Sequence, residues 1–318
     1  MDYDLYFHND SDGYASAAVF LCFLNSRGDN VKNFFPVDHE IKPRWEKYKF
    51  KNPFAVFDFY FHPKAAYFFD HHATTFIKES WKKSFRPSKL YFLKPDYFSC
   101  CHVVLDSLVR EYKFKPTPNL LELTDWLDVI DGAKYGSGKQ VIELKEPALR
   151  IDAYIDFAAK NNIDATWIVR ELRDKDLRRV AKDRRVVAAY KRTIEENKKS
   201  LTYYQKNLKV FENISFIDLT QSRVQRLRAA PYFLCPKLAY NITVKRKDCG
   251  YRLSVSSNPW HKKKNKIDLG AMLKKFSGGG GHKGAAGAFL DTSKEMNLCL
   301  KKIVRVLARK DFPGFTVK

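Results

Sequence analysis

Three short apolar runs near the amino terminus each lead into acidic and histidine residues, and this pattern limits what the chain can fold into. In chain order these residues are His8, Asp10, Asp12, Asp58, Asp70, His71 and His72. Side chains alternate between the two faces of an extended strand, so positions 8, 10 and 12 can all project toward one point. Converging carboxylates repel each other unless a cation lies between them. The pattern predicts a metal site, with a plain turn before a helix as the alternative for the first run.

The apolar runs alternate with helical patterns. The runs LYF, VKNFFPV, FAVFDF and AAYFFD are typical of strands, and the intervening ASAAVFLCFLNS is typical of a helix. This alternation predicts an α/β fold with a largely parallel sheet. Ligands of open parallel sheets bind beyond the carboxyl ends of the strands, so the acidic and histidine residues should meet at one sheet edge.

The length of the chain predicts two domains. It has 318 residues, 45% of them hydrophobic, which is enough for two cores. We expect a parallel-sheet domain over residues 1–150, a helical connector over 151–205 and a smaller α+β domain over 206–318. Apolar residues recur at helical spacing from about 163 to 203, which predicts one long amphipathic helix in the connector.

Composition excludes several classes of protein. The start MDYDLYFH lacks the regions of a signal peptide, and no stretch approaches the ~20 apolar residues of a membrane span, so we expect a soluble, cytoplasmic protein. The six cysteines lack the spacing of a zinc cage or a disulfide framework. The net charge of +22, with clusters at 244–247 and 261–266, favours a phosphate-bearing ligand over merely solvated lysines.

Two later segments complete a recognisable set of motifs. The segment LTDWLDVIDGAKY supplies another aspartate, either Asp128 or Asp131, and the glycine-rich segment GGGGHKGAAG occupies residues 278–287. In the order HxDxD, D, DHH, D and glycine run, the chain resembles the DHH phosphoesterase superfamily over nearly its whole length. That superfamily includes RecJ-type exonucleases, nano-RNases, cyclic dinucleotide phosphodiesterases and manganese pyrophosphatases, and the pyrophosphatases lack the glycine-rich domain.

The resemblance implies a two-metal centre, with Mn²⁺ preferred on ligand type and Mg²⁺ or Co²⁺ left open. Asp58 would bridge the two ions, and the later aspartate would be Asp128, on the match of LDVI, or Asp131. The implied metal ligands are His8, Asp10, Asp12, Asp58, His71, Asp128 and Asp131. In the same mapping Asp70 orients other groups and His72 lies near the substrate phosphate, so these two are the implied catalytic residues.

A substrate site is expected in the carboxyl-terminal domain. Glycines let backbone N–H groups approach an anion closely, and a histidine can add a hydrogen bond. The residues assigned to this role are Gly279, Gly280, Gly281 and His282. Many relatives carry an arginine before the glycine run where this chain has serines, so Arg223, Arg226 or Arg228 is expected to substitute, and we select Arg228.

Three further histidines have less specific roles. His102 either belongs to a helix start capped by Ser99 or contacts a substrate. His39 and His62 are predicted to be ordinary loop residues.

The leading functional hypothesis is a metal-dependent phosphodiester hydrolase of the exonuclease or oligoribonuclease type. It would release nucleoside monophosphates from short single-stranded oligonucleotides. The alternatives are a cyclic or linear dinucleotide phosphodiesterase, a 3′-phosphoadenosine phosphate phosphatase, and a non-catalytic nucleic-acid-binding protein. The sequence leaves open the choice of RNA or DNA and the polarity of cleavage, and a homodimer is a possible assembly.

Overall fold

A computed structural model of the chain describes residues 1–247, 249–261, 267–310 and 314–317. They divide into two compact units. The first unit comprises Met1–Tyr135 and Leu144–Thr193, and the second comprises Gly136–Glu143 and Ile194–Lys318. No helix among the described residues combines the length and the apolar character that crossing a membrane requires.

Strands and helices alternate through the first half of the chain. The strands are β1 (Asp2–His8), β2 (Asn30–Val37), β3 (Phe54–Phe57), β4 (Tyr67–Asp70), β5 (Tyr91–Leu93), β6 (Lys209–Phe211), β7 (Ile214–Asp218), β8 (Tyr240–Lys247), β9 (Gly250–Ser257), β10 (Gly280–His282) and β11 (Ala285–Leu290). The helices are α1 (Ser11–Ser26), α2 (Lys42–Trp45), α3 (Glu79–Ser84), α4 (Cys100–Tyr112), α5 (Pro118–Ile130), α6 (Gly138–Glu143), α7 (Pro147–Lys160), α8 (Trp167–Asp174), α9 (Leu177–Val180), α10 (Arg184–Asn207), α11 (Ala230–Leu234), α12 (Leu269–Ser277) and α13 (Ser293–Ala308).

The first unit is built on a parallel sheet, which confirms the predicted α/β class. Its strand order is β2-β1-β3-β4-β5, and every pairing is parallel. All residues of β3 and β4 are buried, and for this reason these strands are continuous apolar runs rather than alternating ones. One face packs on α1 and α4, while the other holds an aromatic cluster around Trp45. The sheet therefore brings the carboxyl ends of β1, β3 and β4 to one edge.

The second unit contains a mixed sheet with the order β10-β11-β9-β8-β7-β6. Only the β7–β8 pairing within these described strands is parallel. Helices α12 and α13 contribute Leu273, Met296 and Leu300 to the core on one face of this sheet. The unit thus has the α+β character expected of the carboxyl-terminal part.

The prediction of one long amphipathic helix from about 163 to 203 is wrong, because the structure has three helices there: α8, α9 and α10. Two aspartates start new backbone turns. Asp176 accepts a hydrogen bond from the N–H of Arg179 at 2.8 Å, and Asp183 accepts one from the N–H of Arg185 at 2.9 Å. Side chains that satisfy free N–H groups at a helix start interrupt the backbone path without disturbing the apolar spacing.

Candidate metal centre

The ends of three neighbouring strands position the acidic and histidine side chains. His8 is the last residue of β1, Asp58 follows β3, and Asp70 is the last residue of β4. Asp10 caps α1 by accepting a hydrogen bond from the N–H of Gly13 at 3.0 Å, which places Asp12 in the first helical turn. The alternation and strand-end arguments from the sequence therefore lead to a single place in the first unit.

Ligand atoms from these side chains form three overlapping sets. Within each set the candidate atoms lie within 4.8 Å of one another. The sets are Asp58, Asp70, His71 and His72; His8, Asp10 and Asp58; and Asp12, His71 and Asp131. Asp58 and His71 each belong to two sets, so they lie at the centre of the arrangement.

His71 has the orientation of a metal ligand. Its Nδ1 lies 3.1 Å from the carbonyl oxygen of Tyr97, which can only accept a hydrogen bond, so Nδ1 carries the proton. The other ring nitrogen, Nε2, is buried and has no hydrogen-bond partner. It lies 3.8 Å from Asp12 Oδ2, 3.6 Å from Asp58 Oδ1 and 3.3 Å from Asp131 Oδ2. A backbone carbonyl that fixes the tautomer in this way is common behind metal-bound histidines.

Asp58 is surrounded by imidazoles. Its carboxylate is buried, with Oδ2 3.5 Å from His8 Nδ1 and Oδ1 3.2 Å from His72 Nδ1. Burial by itself would raise the pKa of Asp58, but the histidines around it lower the pKa below its usual range. Oδ1 nevertheless has no hydrogen bond of good geometry. The carboxylate is thus ionised and has an unsatisfied oxygen facing His71.

The pKa values of the neighbouring carboxyl groups are shifted in the opposite direction from that of Asp58. Burial raises the pKa of Asp12, and the charges of Asp58 and Asp131 raise it further. Burial and the charge of Asp58 raise the pKa of Asp131 to about 6. Crowded carboxylates of this kind are stabilised by a cation, whose binding displaces their protons.

Asp12 is held by the start of α4. Its two carboxylate oxygens accept hydrogen bonds from the N–H groups of Cys100 at 2.6 Å and Cys101 at 2.8 Å. The thiols of these cysteines serve elsewhere: Cys100 donates to the carbonyl oxygen of Phe69, and Cys101 pairs with Thr124. The donor set is therefore carboxylate and imidazole without thiolate, which fits Mn²⁺ or Mg²⁺ better than a structural zinc ion. The unpartnered atoms of Asp58 and His71 also fit a metal.

Asp70 and His72 form a supporting pair. Oδ1 of Asp70 accepts hydrogen bonds from the backbone N–H groups of His71 at 2.7 Å and His72 at 3.0 Å, and it lies 3.0 Å from His72 Nδ1. The adjacent carboxylates of Asp58 and Asp70 raise the pKa of His72 to about 11. His72 also lines the cavity beside these residues.

The structure places Asp131, and not Asp128, among the clustered ligand atoms of the described residues. Asp128 instead accepts a hydrogen bond from Ser99 Oγ at 2.7 Å and pairs with His102 Nδ1 at 2.7 Å. Ser99 caps α4 by accepting from the N–H of His102, as the helix-start interpretation predicted. The local apolar pattern favoured Asp128, but the helical rotation of α5 decides which carboxylate reaches His71.

The predicted substrate residues lie in the second unit. Gly280–His282 form β10, an edge strand paired with β11. A Cβ at Gly279 would lie 2.4 Å from the carbonyl oxygen of Gly287, so close strand packing requires the glycine. A cavity of about 850 Å³ beside the run is also lined by Lys247 and Arg252, whereas Arg228 is exposed. Of the basic cluster 261–266, residues 262–266 lie outside the described part of the chain.

A cavity of about 320 Å³ opens onto the candidate metal ligands. Besides ligands such as His8 and Asp58, its lining includes six residues that the sequence analysis did not select as functional, among them His39, Lys42 and Tyr60. His39 was predicted to be an ordinary loop residue. These residues follow β2 and β3, so the strand-end argument applied to β2 would have found two of them. His62, by contrast, is buried in the aromatic cluster.

The combination of this parallel sheet, its edge of acidic and histidine residues, and the mixed second sheet defines a class: the chain has the fold of the DHH-domain proteins. Solved structures with this fold include the pGpG-specific phosphodiesterase PggH from Vibrio cholerae, with 16% sequence identity, a TM-score of 0.74, and coverage of 97% of this chain and 100% of that one. The resemblance inferred from the motifs is thereby confirmed at the level of the fold.

Two other structures are similar at lower scores. RecJ from Thermus thermophilus in complex with Mn²⁺ has 15% identity and a TM-score of 0.57, with coverage of 99% of this chain and 53% of that one. The DHH domain of a protein assigned to a family of ribosomal proteins has 14% identity and a TM-score of 0.58, with coverage of 96% and 87%. No family model and no curated protein matches the sequence.

Proposed function

We propose that the protein is a two-metal phosphodiesterase that releases nucleoside monophosphates from short single-stranded oligonucleotides in the cytoplasm. The observation that carries this proposal is the pair of donor sets joined by Asp58, because a shared carboxylate is how two divalent ions are held side by side. His8, Asp10 and Asp58 would hold one ion. Asp12, His71 and Asp131, with Asp58, would hold the other.

Ions in such a site activate a water molecule as the nucleophile and neutralise charge on the reacting phosphate. The side chains of the protein have their own tasks. Asp70 fixes the ring of His72 through Nδ1, so that Nε2 can donate a hydrogen bond to a phosphate oxygen. His71 would keep its Nε2 lone pair toward the ions because the backbone carbonyl oxygen of Tyr97 accepts a hydrogen bond from Nδ1–H.

A second candidate function is hydrolysis of a dinucleotide. It is favoured by the similarity to a pGpG-specific phosphodiesterase over the full length of both chains. The size of the cavity supports the same view, since about 320 Å³ is near the lower end of the roughly 300–1,000 Å³ of small-molecule sites. Both candidates use the same metal ligands and differ in the number of nucleotides bound.

The test compares substrates with a fixed enzyme. Purified protein with Mn²⁺, with Mg²⁺ or without metal is incubated with a labelled pentanucleotide, linear pGpG and a cyclic dinucleotide. We expect metal-dependent shortening of the pentanucleotide in single-nucleotide steps. Cleavage of pGpG alone would select the dinucleotide function, and inertness toward all three substrates with both metals would overturn the proposal. Asp58→Asn is the matched control, because asparagine is among the residues that best adopt the positive φ of 53° found at this position.

A further inference from the structure

A second groove of the first unit lies apart from the candidate metal centre. It has a volume of about 570 Å³ and is lined by residues 46–50, residues 52–54 and Lys64. None of these residues lines the cavity that opens onto the metal ligands. The proposed chemistry therefore gives this groove no role.

Exposure alternates along the segment that forms the groove. Lys47 and Lys49 are exposed. Tyr48 and Phe50, which alternate with them, are half-buried, and the ring of Phe50 stacks on that of Phe54 with the centroids 3.6 Å apart. The aromatic rings thus anchor the segment to the core, and the ammonium groups of the lysines remain in contact with solvent.

The lysines of the groove have no counter-charge on the protein. Lys47, Lys49 and Lys64 form no ion pair with any carboxylate that the structure describes. Glu46, the acidic residue of the lining, pairs instead with the lysine that precedes α3. Between positions 42 and 64 the chain has six lysines and arginines, and its acidic residues are Glu46 and the candidate ligand Asp58. Cations concentrated in this way attract a polyanion.

The composition of the groove favours single-stranded nucleic acid among the polyanions. Proteins that bind single strands without sequence preference combine a basic groove, which follows the phosphate backbone, with aromatic side chains. A membrane surface would require exposed apolar side chains beside the lysines. Among the described residues, none of the large apolar side chains that are exposed lies between positions 42 and 64.

Helix α2 connects the groove to the candidate metal centre. Lys42, its first residue, lines the cavity at the metal ligands, and Glu46, which follows its last residue, lines the groove. The helix has four residues, which corresponds to about 6 Å along its axis. A strand with one end at the metal centre can therefore continue into the groove.

We propose that the groove formed by residues 46–54 and Lys64 binds the backbone of single-stranded nucleic acid, at phosphates remote from the bond that is cleaved. A dinucleotide has a single internal phosphate, which the metal centre would occupy, so only a longer strand supplies phosphates to the groove. The binding itself does not depend on hydrolysis. The resulting preference for oligonucleotides over dinucleotides as substrates rests on the proposed function.

The first experiment measures binding without catalysis. Fluorescence anisotropy in EDTA gives the affinity for a labelled single strand of twelve uridylates or thymidylates at several salt concentrations. We expect a groove variant with Lys47→Ala, Lys49→Ala and Lys64→Ala together to bind at least about tenfold more weakly. The plot of log affinity against log salt should become shallower by about 2, because each lost phosphate contact reduces the slope by about 0.7.

A matched control variant carries Lys89→Ala, Lys115→Ala and Lys182→Ala. It removes the same charge from exposed lysines of the first unit that do not line the groove. Its affinity should change less than about twofold. Equal weakening in the two variants, or unchanged binding in the groove variant, would overturn the inference.

Two other polyanions are tested with the same variants: vesicles containing phosphatidylserine, and polyglutamate. If the groove variant loses binding to either of them but keeps its affinity for the oligonucleotide, the groove serves a different partner and the inference is wrong.

Kinetic measurements connect the groove to the proposed function. With Mn²⁺, the groove variant should raise KM for the oligonucleotide about tenfold and leave KM for a dinucleoside monophosphate within about twofold, with kcat unchanged for both. An equal rise for both substrates would show that the lysines act at the metal centre, against the inference. If neither substrate is hydrolysed, the proposed function fails, and the anisotropy measurements still decide whether the groove binds nucleic acid.

Discussion

At the scale of single residues, Asp58 shows how the fold prepares the candidate centre. Its backbone has a φ of 53°, in the left-handed region that residues other than glycine enter at a cost of about 1 kcal/mol or more. The N–H of Asp58 donates to the carbonyl oxygen of Phe69 at 3.0 Å, which holds the conformation. The turn directs the carboxylate between His8 and His71. Strain of this kind is characteristic of positions where geometry serves a site.

The pair Asp128 and Asp131 allows a direct test of the ligand assignment. We expect Asp131→Asn to lower activity and Mn²⁺ affinity more than about 100-fold, because a ligand oxygen is replaced by an amide. Asp128→Asn should lower activity and Mn²⁺ affinity less than about tenfold, because the described hydrogen-bond partners of Asp128 are Ser99 and His102. Steady-state kinetics and calorimetric titration of Mn²⁺ check both values. The reverse order of effects would show that Asp128 is the ligand.

Asp152 gives a prediction for stability as a function of pH. It accepts a hydrogen bond from Ser11 Oγ at 2.6 Å, and burial raises its pKa to about 6. In the unfolded chain the group titrates near 3.8, so the folded state binds the extra proton between about pH 4 and 6 and loses stability as pH rises through this range. Asp152→Asn removes this loss.

We therefore expect Asp152→Asn to exceed the unchanged protein in unfolding free energy at pH 7.5 by up to about 3 kcal/mol, with the difference vanishing near pH 4. Urea unfolding at the two pH values measures it. Asp156→Asn, an exposed neighbour on the same helix, is the control. A difference independent of pH would contradict the assignment.

At the scale of elements, the junction of β1 and α1 depends on one glycine. A Cβ at Gly13 would lie 2.1 Å from the carbonyl oxygen of His8 and 2.8 Å from its nitrogen. Helix α1 can therefore begin directly against the end of β1 only if this residue lacks a side chain. The close approach places Asp10 and Asp12, on either side of the helix start, next to His8.

We expect Gly13→Ala to lower the free energy of unfolding by at least about 2 kcal/mol and to weaken Mn²⁺ binding, since the clash is with backbone atoms that cannot move aside. Gly136→Ala is the control: its added Cβ would meet only the side-chain oxygen of Gln140 at 3.6 Å. Its effect should stay within about 0.5 kcal/mol. Chemical denaturation of both variants decides between overpacking and a general intolerance of alanine.

At the scale of the whole molecule, metal binding and folding should be coupled. The donor atoms of the centre come from β1, α1, β4 and the turns after β3 and α5, so an ion bound to them stabilises the folded first unit and not the unfolded chain. At an Mn²⁺ concentration 100 times Kd, binding at one site raises the free energy of unfolding by about 2.7 kcal/mol.

This corresponds to an increase of several degrees in Tm, by about 2–4 °C for each kcal/mol in a domain of this size. Thermal unfolding with Mn²⁺ and with EDTA measures the shift. The Asp58→Asn variant should show little of this increase in Tm. An equal shift in that variant would mean that Mn²⁺ acts elsewhere on the chain.

The sequence by itself determined the α/β class and most of the clustered residues. Short, fully buried strands appear in the sequence as continuous apolar runs, so they can be recognised there. The ends of parallel strands lie at one edge of the sheet, so His8, Asp58 and Asp70 could be grouped without coordinates. Only the tertiary structure placed Asp131, rather than Asp128, within reach of His71, divided the predicted long helix at Asp176 and Asp183, and brought Lys42 and Tyr60 to the cavity. These outcomes depend on helix rotation, local capping and contacts between distant segments, none of which the periodicity of one segment records.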